Sequence, residues 1–371
     1  MIKQLPLADF LASSHDGLLI DVRTPAEFEQ GHIIGALNIP LFSNEERVLV
    51  GTSYKQKGRQ PAILLGFELV GARWATYIRQ VDSLLKASKK NKVFVHCWRG
   101  GMRSGAMSWA LSMYGFDVHV LVGGYKTYRQ FSIETLKKDF PFVILSGKTG
   151  CAKTETLLEM KQMGEQVIDL EGIAQHQGSS FGSKGNMYQP SQEQFENVLA
   201  HELHQMDIEK RIWLENESVA IGKRIIPAAI FLQMRNAQII NMQLPLEERL
   251  NFLNSEYGIL PAEFLKDSVL KITKRLGPNE TKLSLLAIDE NRMEDFISQV
   301  LVYYDKTYQR GQEKRSPESI HELTLDKIDP VHNAKAVIEY SNTKSKFQIP
   351  KSKFQNPNSK FQIPNSKTSN K

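Results

Sequence analysis

The chain is poor in cysteine: its 371 residues include two, Cys97 and Cys151. That excludes a disulfide framework and fits a reducing compartment. Histidine and cysteine nowhere fall at the spacing of a metal site, so no metal ligand set is expected. No apolar run is long enough to span a bilayer, and the first residues, with Lys3 and Asp9 among them, lack a signal-peptide core. The expected location is therefore the cytoplasm, with no membrane partner. One region also lacks acid: 341–371 carries seven lysines and neither Asp nor Glu. Without it, 40 basic residues face 41 acidic ones, so the formal charge of +6 belongs to the tail. Any nucleic-acid surface must be a local patch. Hydrophobic and charged contents of 41% and 24% are those of a soluble globular chain, long enough for two cores.

The stretch richest in chemistry is VFVHCWRGGMRSG, Val93 to Gly105. Val93, Phe94 and Val95 read as a short buried strand. From Met102 a helix is expected, with apolar positions at Met107, Ala110, Leu111 and Tyr114. Cys97 lies between them, where loop N–H groups and the positive end of the helix dipole favour thiolate over thiol. Arg99 and Arg103 add two guanidiniums, while Gly100 and Gly101 let the backbone curl so that N–H groups converge. The pattern predicts an anion cradle of Arg99, Gly100, Gly101 and Arg103 with a catalytic Cys97 at its floor, in electropositive, partly exposed surroundings. Cys97, five residues, then Arg103 is the spacing of cysteine phosphatases. The stretch also resembles the active loop of rhodaneses, which carry sulfur or selenium on cysteine and whose loop is usually one residue shorter. The loop alone leaves both readings open.

Strand and helix patterns alternate around this loop, which implies an α/β fold with a largely parallel sheet. The run ending at Asp21 reads as a buried strand. Thr24, Pro25 and Glu27 open a helix as N-cap, first helical residue and capping-box partner. Asp21, Arg23, Glu27 and His32 read as residues that satisfy caps and turns. The signposts Asp-Val-Arg, Glu-Phe, Gly-His-Ile, Gly-Ala and Asn-Ile-Pro up to Pro40 are those of rhodanese domains, in order. Catalytic loops of such sheets lie at the carboxyl ends of strands. From Val50 to Gly71 runs a stretch less usual for a lone rhodanese domain. In it Tyr54, Lys55, Lys57 and Arg59 form a basic-aromatic cluster, with Gly58 and Pro61 keeping it in loop geometry. That composition suits single-stranded RNA, or a solvated loop. Lys126 and Arg129 follow a turn at Gly123-Gly124 and face either a phosphate or solvent.

At Phe142 an apolar strand runs into Gly147, Lys148, Thr149, Gly150, Cys151, Ala152, Lys153 and Thr154, then a helix. This is a phosphate-binding loop in its strand–loop–helix context. Backbone N–H groups hold phosphate oxygens, Lys153 reaches the terminal ones, and the Thr154 hydroxyl is suited to Mg²⁺. Ala152 stands where such loops usually have glycine, and its methyl group narrows the φ range. Cys151 reads as filling space behind the loop. The accompanying acid is Asp169, or Glu215 with Glu217; each also reads as a structural cap. No guanine-reading Asn-Lys-x-Asp is present. Further on, Leu246–Tyr257 and Ala262–Leu276 are amphipathic helices, and Glu280–Tyr308 adds two more.

The stretches DLEGIAQHQGSSFG from Asp169, QPSQEQFEN from Gln189 and IWLENESVAIGKRIIP from Ile212 stand beside CWRGGMRSG, LVGGYK and YKQKGR. Together they resemble the tRNA 2-selenouridine synthase family, from about Leu5 to roughly residue 330. The resemblance implies a rhodanese-like parallel-sheet domain over 1–135, then a P-loop NTPase-like α/β domain with a helical C-terminal region over 136–340. Residues 341–371 repeat SKFQ at a seven-residue period with proline in every copy and read as a disordered tail.

The implied activity is that of a transferase replacing sulfur by selenium in a wobble 2-thiouridine of tRNA. Its co-substrates are selenophosphate and geranyl diphosphate, through an S-geranyl-2-thiouridine, with no tightly bound cofactor. Its partners are tRNA and a selenophosphate-producing enzyme. Carried onto this chain, Cys97 takes selenium and holds it as a perselenide. Arg99, Arg103 and the loop N–H groups bind the phosphate half, and the phosphate loop holds the diphosphate of the geranyl donor. Two alternatives remain. One is a cysteine phosphatase or sulfurtransferase fused to a kinase-like P-loop domain, although no general acid is evident. The other is a binding protein that senses anions.

Overall fold

The computed structural model describes residues 2–176, 188–313, 315–344 and 347, so the tail repeats, apart from Phe347, and the end of the DLEGIAQHQGSSFG stretch lie outside the described residues. Strands β1 (Ile2–Leu5), β2 (Leu18–Asp21), β3 (Leu37–Asn38), β4 (Lys92–His96) and β5 (Asp117–Leu121) form one sheet in the order β1-β5-β4-β2-β3, every pairing parallel. β2 is buried along its whole length and β4 from Val93 on, as a sheet covered on both faces requires. Alternate residues feed two cores. Ile20, Val93 and Val95 join Val81, Met107 and Leu111 on one face, while Leu19 and Phe94 join Phe10, Tyr125 and Tyr128 on the other. The helix Met102–Tyr114 buries Met107, Ala110 and Leu111 as its spacing requires, but Tyr114 is 59% exposed. The helix ends at Gly115 in a left-handed C-cap, which leaves Tyr114 beside Phe116 outside the core.

Thr24 caps the helix Pro25–Gln30 with the reciprocal bonds of a capping box, as its sequence predicts. The stretch after Val50 is different from the expected loop. Asn44–Lys57 and Arg59–Val70 are helices, broken at Gly58, whose φ is 89°. Ser43 caps the first through a capping box with Glu46, and Pro61 sits in the first turn of the second, where a missing N–H costs little.

The described residues divide into two compact units, and the division does not follow chain order. Met1–Thr135 is joined by Ser191–His201, most of the helix Gln192–Gln205. The Asn197 side chain, fully buried, donates to the Tyr125 hydroxyl at 2.7 Å; that hydroxyl donates to Glu193 at 2.7 Å. The Gln194 side chain accepts from the His32 N–H at 2.8 Å, and Arg129 donates to Asn197 at 3.0 Å and pairs with Glu196. Arg129 is thus neither solvated nor aimed at a phosphate.

In the second unit, β6 (Phe142–Gly147), β7 (Gln166–Val167), β8 (Ile212–Glu215), β11 (Gln238–Gln243) and β12 (Ile320–Thr324) form a parallel sheet in the order β12-β11-β6-β8-β7. β9 (Ala220–Ile221) and β10 (Arg224–Ile225) make a small antiparallel pair. Four helices, Leu246–Tyr257, Ala262–Leu276, Pro278–Asp289 and Met293–Gln312, bury Leu253, Val269, Ile288, Phe296 and Val300 in a core of their own. The last helix, Pro330–Thr343, runs past the expected boundary at 340. No helix among the described residues is long and apolar enough to cross a membrane.

At the end of β2, Asp21 and Arg23 form a buried ion pair at 2.6 Å. Arg23 also donates to the Gly31 carbonyl at 2.6 Å and lies 3.8 Å above the Tyr125 ring. Burial opposes ionisation of Asp21, but His96 and Arg23 outweigh it and hold the carboxyl below its ordinary value. Its contribution to stability is therefore complete at neutral pH and is lost as pH falls through that depressed value. Asp21→Ala leaves Arg23 buried without its partner and is expected to cost about 3–5 kcal/mol, read as a lowered urea midpoint. A loss within error of zero contradicts the assignment.

Candidate active site

Cys97 follows β4, the middle strand of the first sheet, at its carboxyl end. The chain must turn there within five residues to enter the helix at Met102. A second turn, Gly123-Gly124-Tyr125, holds the loop by its backbone. The Tyr125 N–H donates to the Cys97 carbonyl at 2.8 Å and the Lys126 N–H to that of Trp98 at 3.0 Å. Contact is close enough that a Cβ on Gly124 would lie 2.3 Å from the Cys97 carbonyl oxygen, and one on Gly100 2.7 Å from that of Leu121. Both glycines also have positive φ, 62° and 66°. The LVGGYK motif is the mould in which the Cys97 loop is cast.

Cys97 as a residue is 3% exposed, less open than the sequence suggests. The same core that buries Val95 and Met107 closes over its base. Burial alone would raise its pKa. The Ser104 hydroxyl at 3.2 Å, the Ser104 N–H, the Arg103 charge and the Arg99 N–H together outweigh it, and Cys97 is held below the ordinary 9.0. Arg103 is fixed by two hydrogen bonds to Glu27, at 2.5 and 3.1 Å. Burial opposes the Glu27 charge, yet Arg103 and the Thr24 N–H prevail and keep that carboxyl below its usual range. Glu27 therefore caps a helix and also anchors the cradle guanidinium. The Arg99 side chain is exposed at the mouth. His96 is buried behind the loop; desolvation lowers its pKa despite the opposing charge of Asp21.

In the second unit, Gly147–Thr154 joins β6 to the helix Lys153–Gln162. Lys153 lies 3.4 Å from Glu215, at the end of β8, and the Thr154 hydroxyl donates to the same carboxylate at 2.9 Å. Burial opposes the Lys153 charge, but Glu215 keeps the ammonium firmly protonated. Glu215 is thus the acid beside the loop, whereas Asp169 caps the short helix Leu170–Ala174 through the Gly172 N–H. Ala152 adopts left-handed φ and ψ of 50° and 43°, a strain of about 1–2 kcal/mol for a residue with a Cβ. Cys151 fills space behind the loop, its pKa raised by burial.

Two features were not foreseen. Arg249 donates to the Thr149 carbonyl at 2.9 Å and forms a two-pronged pair with Asp305, so the helical region holds the loop from the side. Lys148 approaches the same Asp305 at 3.7 Å. Also, Glu171, Glu215 and Glu217 each bring an oxygen within 4.8 Å of the others. Burial first, then Glu215 and Glu171, push the Glu217 carboxyl well above its ordinary value. The expectation of no metal ligand set rested on Cys and His; here Glu171 joins Glu215 and Glu217, two residues apart in the sequence, as a group of oxygen donors. Tyr54, Lys55, Lys57 and Arg59 are exposed around the tip of the helical hairpin, at the end of one helix and the start of the next.

Residues 7–131 match the rhodanese-like domain, and 140–337 match the family model described as the tRNA 2-selenouridine synthase AAA domain. A tRNA 2-selenouridine synthase of Shewanella halifaxensis is 36% identical over 82% of this chain and 92% of its own length. That of Shewanella woodyi is 35% identical over 90% and 99%. A crystal structure of the N-terminal domain of a Clostridium difficile protein described as ATP/GTP binding aligns at 39% identity over 35% of this chain and 98% of that one, with a TM-score of 0.33.

Ser104→Ala removes one donor to the Cys97 sulfur. It is expected to move the alkylation pH profile of Cys97 to the alkaline side and slow labelling at pH 7 by roughly three- to tenfold, one pKa unit being tenfold in thiolate. An unchanged profile shows that Ser104 does not support the thiolate.

Proposed function

The chain belongs to the tRNA 2-selenouridine synthase family, and on that premise we propose that it is a transferase replacing sulfur by selenium in a wobble 2-thiouridine of tRNA. Selenophosphate is the selenium donor, and the thiouridine is first S-alkylated with geranyl diphosphate. The reading is carried by the presence on one chain of a thiol held below its ordinary pKa in an N–H-lined loop and of a phosphate-binding loop.

The two sites divide the work. Cys97 acts in selenium delivery. The N–H groups of its loop, the exposed Arg99 and the tethered Arg103 bind the tetrahedral anion and stabilise charge as it develops. Gly147 to Thr154 hold the diphosphate: backbone N–H groups and the helix start take phosphate oxygens, and Lys153 takes the terminal ones, leaving Glu215 as it does so. The Thr154 hydroxyl with the carboxylates of Glu215, Glu171 and Glu217 fits Mg²⁺, a hard cation that takes oxygen ligands. When bound, it would neutralise diphosphate charge. Geranylation makes the sulfur a leaving group that selenium can displace.

Tyr54, Lys55, Lys57 and Arg59 are the proposed tRNA contact, with aromatic stacking and phosphate pairing as its chemistry. A selenophosphate-producing enzyme supplies the donor.

Nucleoside mass spectrometry of tRNA from cells carrying variants tests the division. Cys97→Ser is expected to abolish 2-selenouridine while S-geranyl-2-thiouridine persists. Lys153→Ala is expected to lower geranylation on the order of a hundredfold or more and to leave selenation of supplied geranylated tRNA in place. Loss of both steps in the Cys97 variant refutes the assignment.

A further inference from the structure

Cys97 and Arg103 are followed by a hydroxyl whose position matters. Ser104 Oγ lies 3.2 Å from Cys97 Sγ and 3.1 Å from the Gly101 carbonyl oxygen. It has one proton for two acceptors. A thiolate at Cys97, being charged, competes with the Gly101 carbonyl for that proton. Arg103, locked to Glu27 through two N–H groups, keeps three further donors at the cradle that no hydrogen bond among the described residues uses. These parts match the demands of a phosphorus centre: a tetrahedral cradle, a thiolate at its floor, and a hydroxyl to steady that thiolate as it leaves.

Electron balance gives an independent argument. Selenium in selenophosphate is already at the selenide level. A perselenide on Cys97 would need a two-electron oxidant, or would expel phosphorus as phosphite. Neither belongs to the reaction.

We infer that Cys97 accepts the phosphoryl group of the selenium donor and releases its selenium. This rests on the assignment of Cys97 to selenium delivery. The thiolate attacks phosphorus: the S–P bond forms, the P–Se bond breaks, and selenium leaves with the electron pair as hydroselenide. Hydroselenide then attacks C2 of the S-alkylated pyrimidine and expels the alkylthiolate. Water hydrolyses S-phosphocysteine to phosphate and restores the thiol, with Ser104 donating to the departing sulfur. No oxidant enters. The features that make Cys97 a stable thiolate also make it a good leaving group in this last step.

The test uses the full-length protein and selenophosphate. Samples are quenched in denaturant, treated with an alkylating reagent and digested, and the Cys97 peptide is weighed. In parallel the same preparation is assayed for selenation of S-geranyl tRNA. The expected peptide carries one phosphoryl group. It accumulates at least tenfold more in Ser104→Ala, where the departing thiolate loses a hydrogen-bond donor, and returns to the wild-type level in Ser104→Thr. Phosphate release without tRNA is expected in the wild type and is lost in Cys97→Ser. An alkylated selenium atom on Cys97, or active selenation with no phosphoryl adduct in either the wild type or Ser104→Ala, overturns the inference while leaving Cys97 in selenium delivery. Wild-type protein that neither selenates geranylated tRNA nor forms an adduct overturns both.

Discussion

The hydrogen bond from the Tyr125 N–H to the Cys97 carbonyl, 2.8 Å long, is the constraint on which the first site depends. It fixes the first peptide after β4, and the bond from the Lys126 N–H to the Trp98 carbonyl fixes the next. The first bond forms because Gly124 has no side chain to keep the two backbones apart. Tyr125 is itself held at its other end. Its ring carries Arg23, and its hydroxyl is shared between Glu193 and Asn197. The loop that shapes the nucleophile thus leans on a segment that arrives from within the second half of the chain.

The two cysteines show which effect wins when burial and charge compete. Both are buried, and for both desolvation is the largest influence and disfavours the thiolate. Cys151 has cations nearby, Lys153 and Arg249, but Asp305 offsets them and burial prevails. Cys97 has, in addition to Arg103, hydrogen bonds donated directly to its sulfur by Ser104 and Arg99, and these reverse the sign. Short-range donors decide the outcome, as expected where hydrogen bonding to the charged form competes with a low-dielectric setting.

Much of this was legible in the sequence. Parallel-sheet strands announce themselves as unbroken apolar runs, hence β2, β4 and β6. Phosphate loops have a spacing, and Thr24 with Glu27 spells a capping box. The same box at Ser43 and Glu46 was there to be read, and it begins the helix that ends near Tyr54; the glycine and proline beyond it suggested a loop instead. Openness of Cys97 was misjudged because a strand end looks exposed until the core behind it is built. What could not be read were contacts between distant residues: Arg249 on Thr149, Glu171 beside Glu215 and Glu217, Asn197 on Tyr125. β12 joins the second sheet only after four helices have intervened, and a five-residue run carries no mark of its partner. In such cases the signal lies in packing, which spacing along the chain does not encode.

The central claim is that Cys97 is an anion-stabilised thiolate in spite of its burial. Following the ultraviolet absorbance of thiolate as pH is raised, for the wild-type protein against Cys97→Ser, isolates the titration of this one group. The account predicts a difference curve with its midpoint below the ordinary thiol value of 9.0, and a second transition above that value, from Cys151, common to both proteins. A Cys97 midpoint at or above the ordinary value contradicts it.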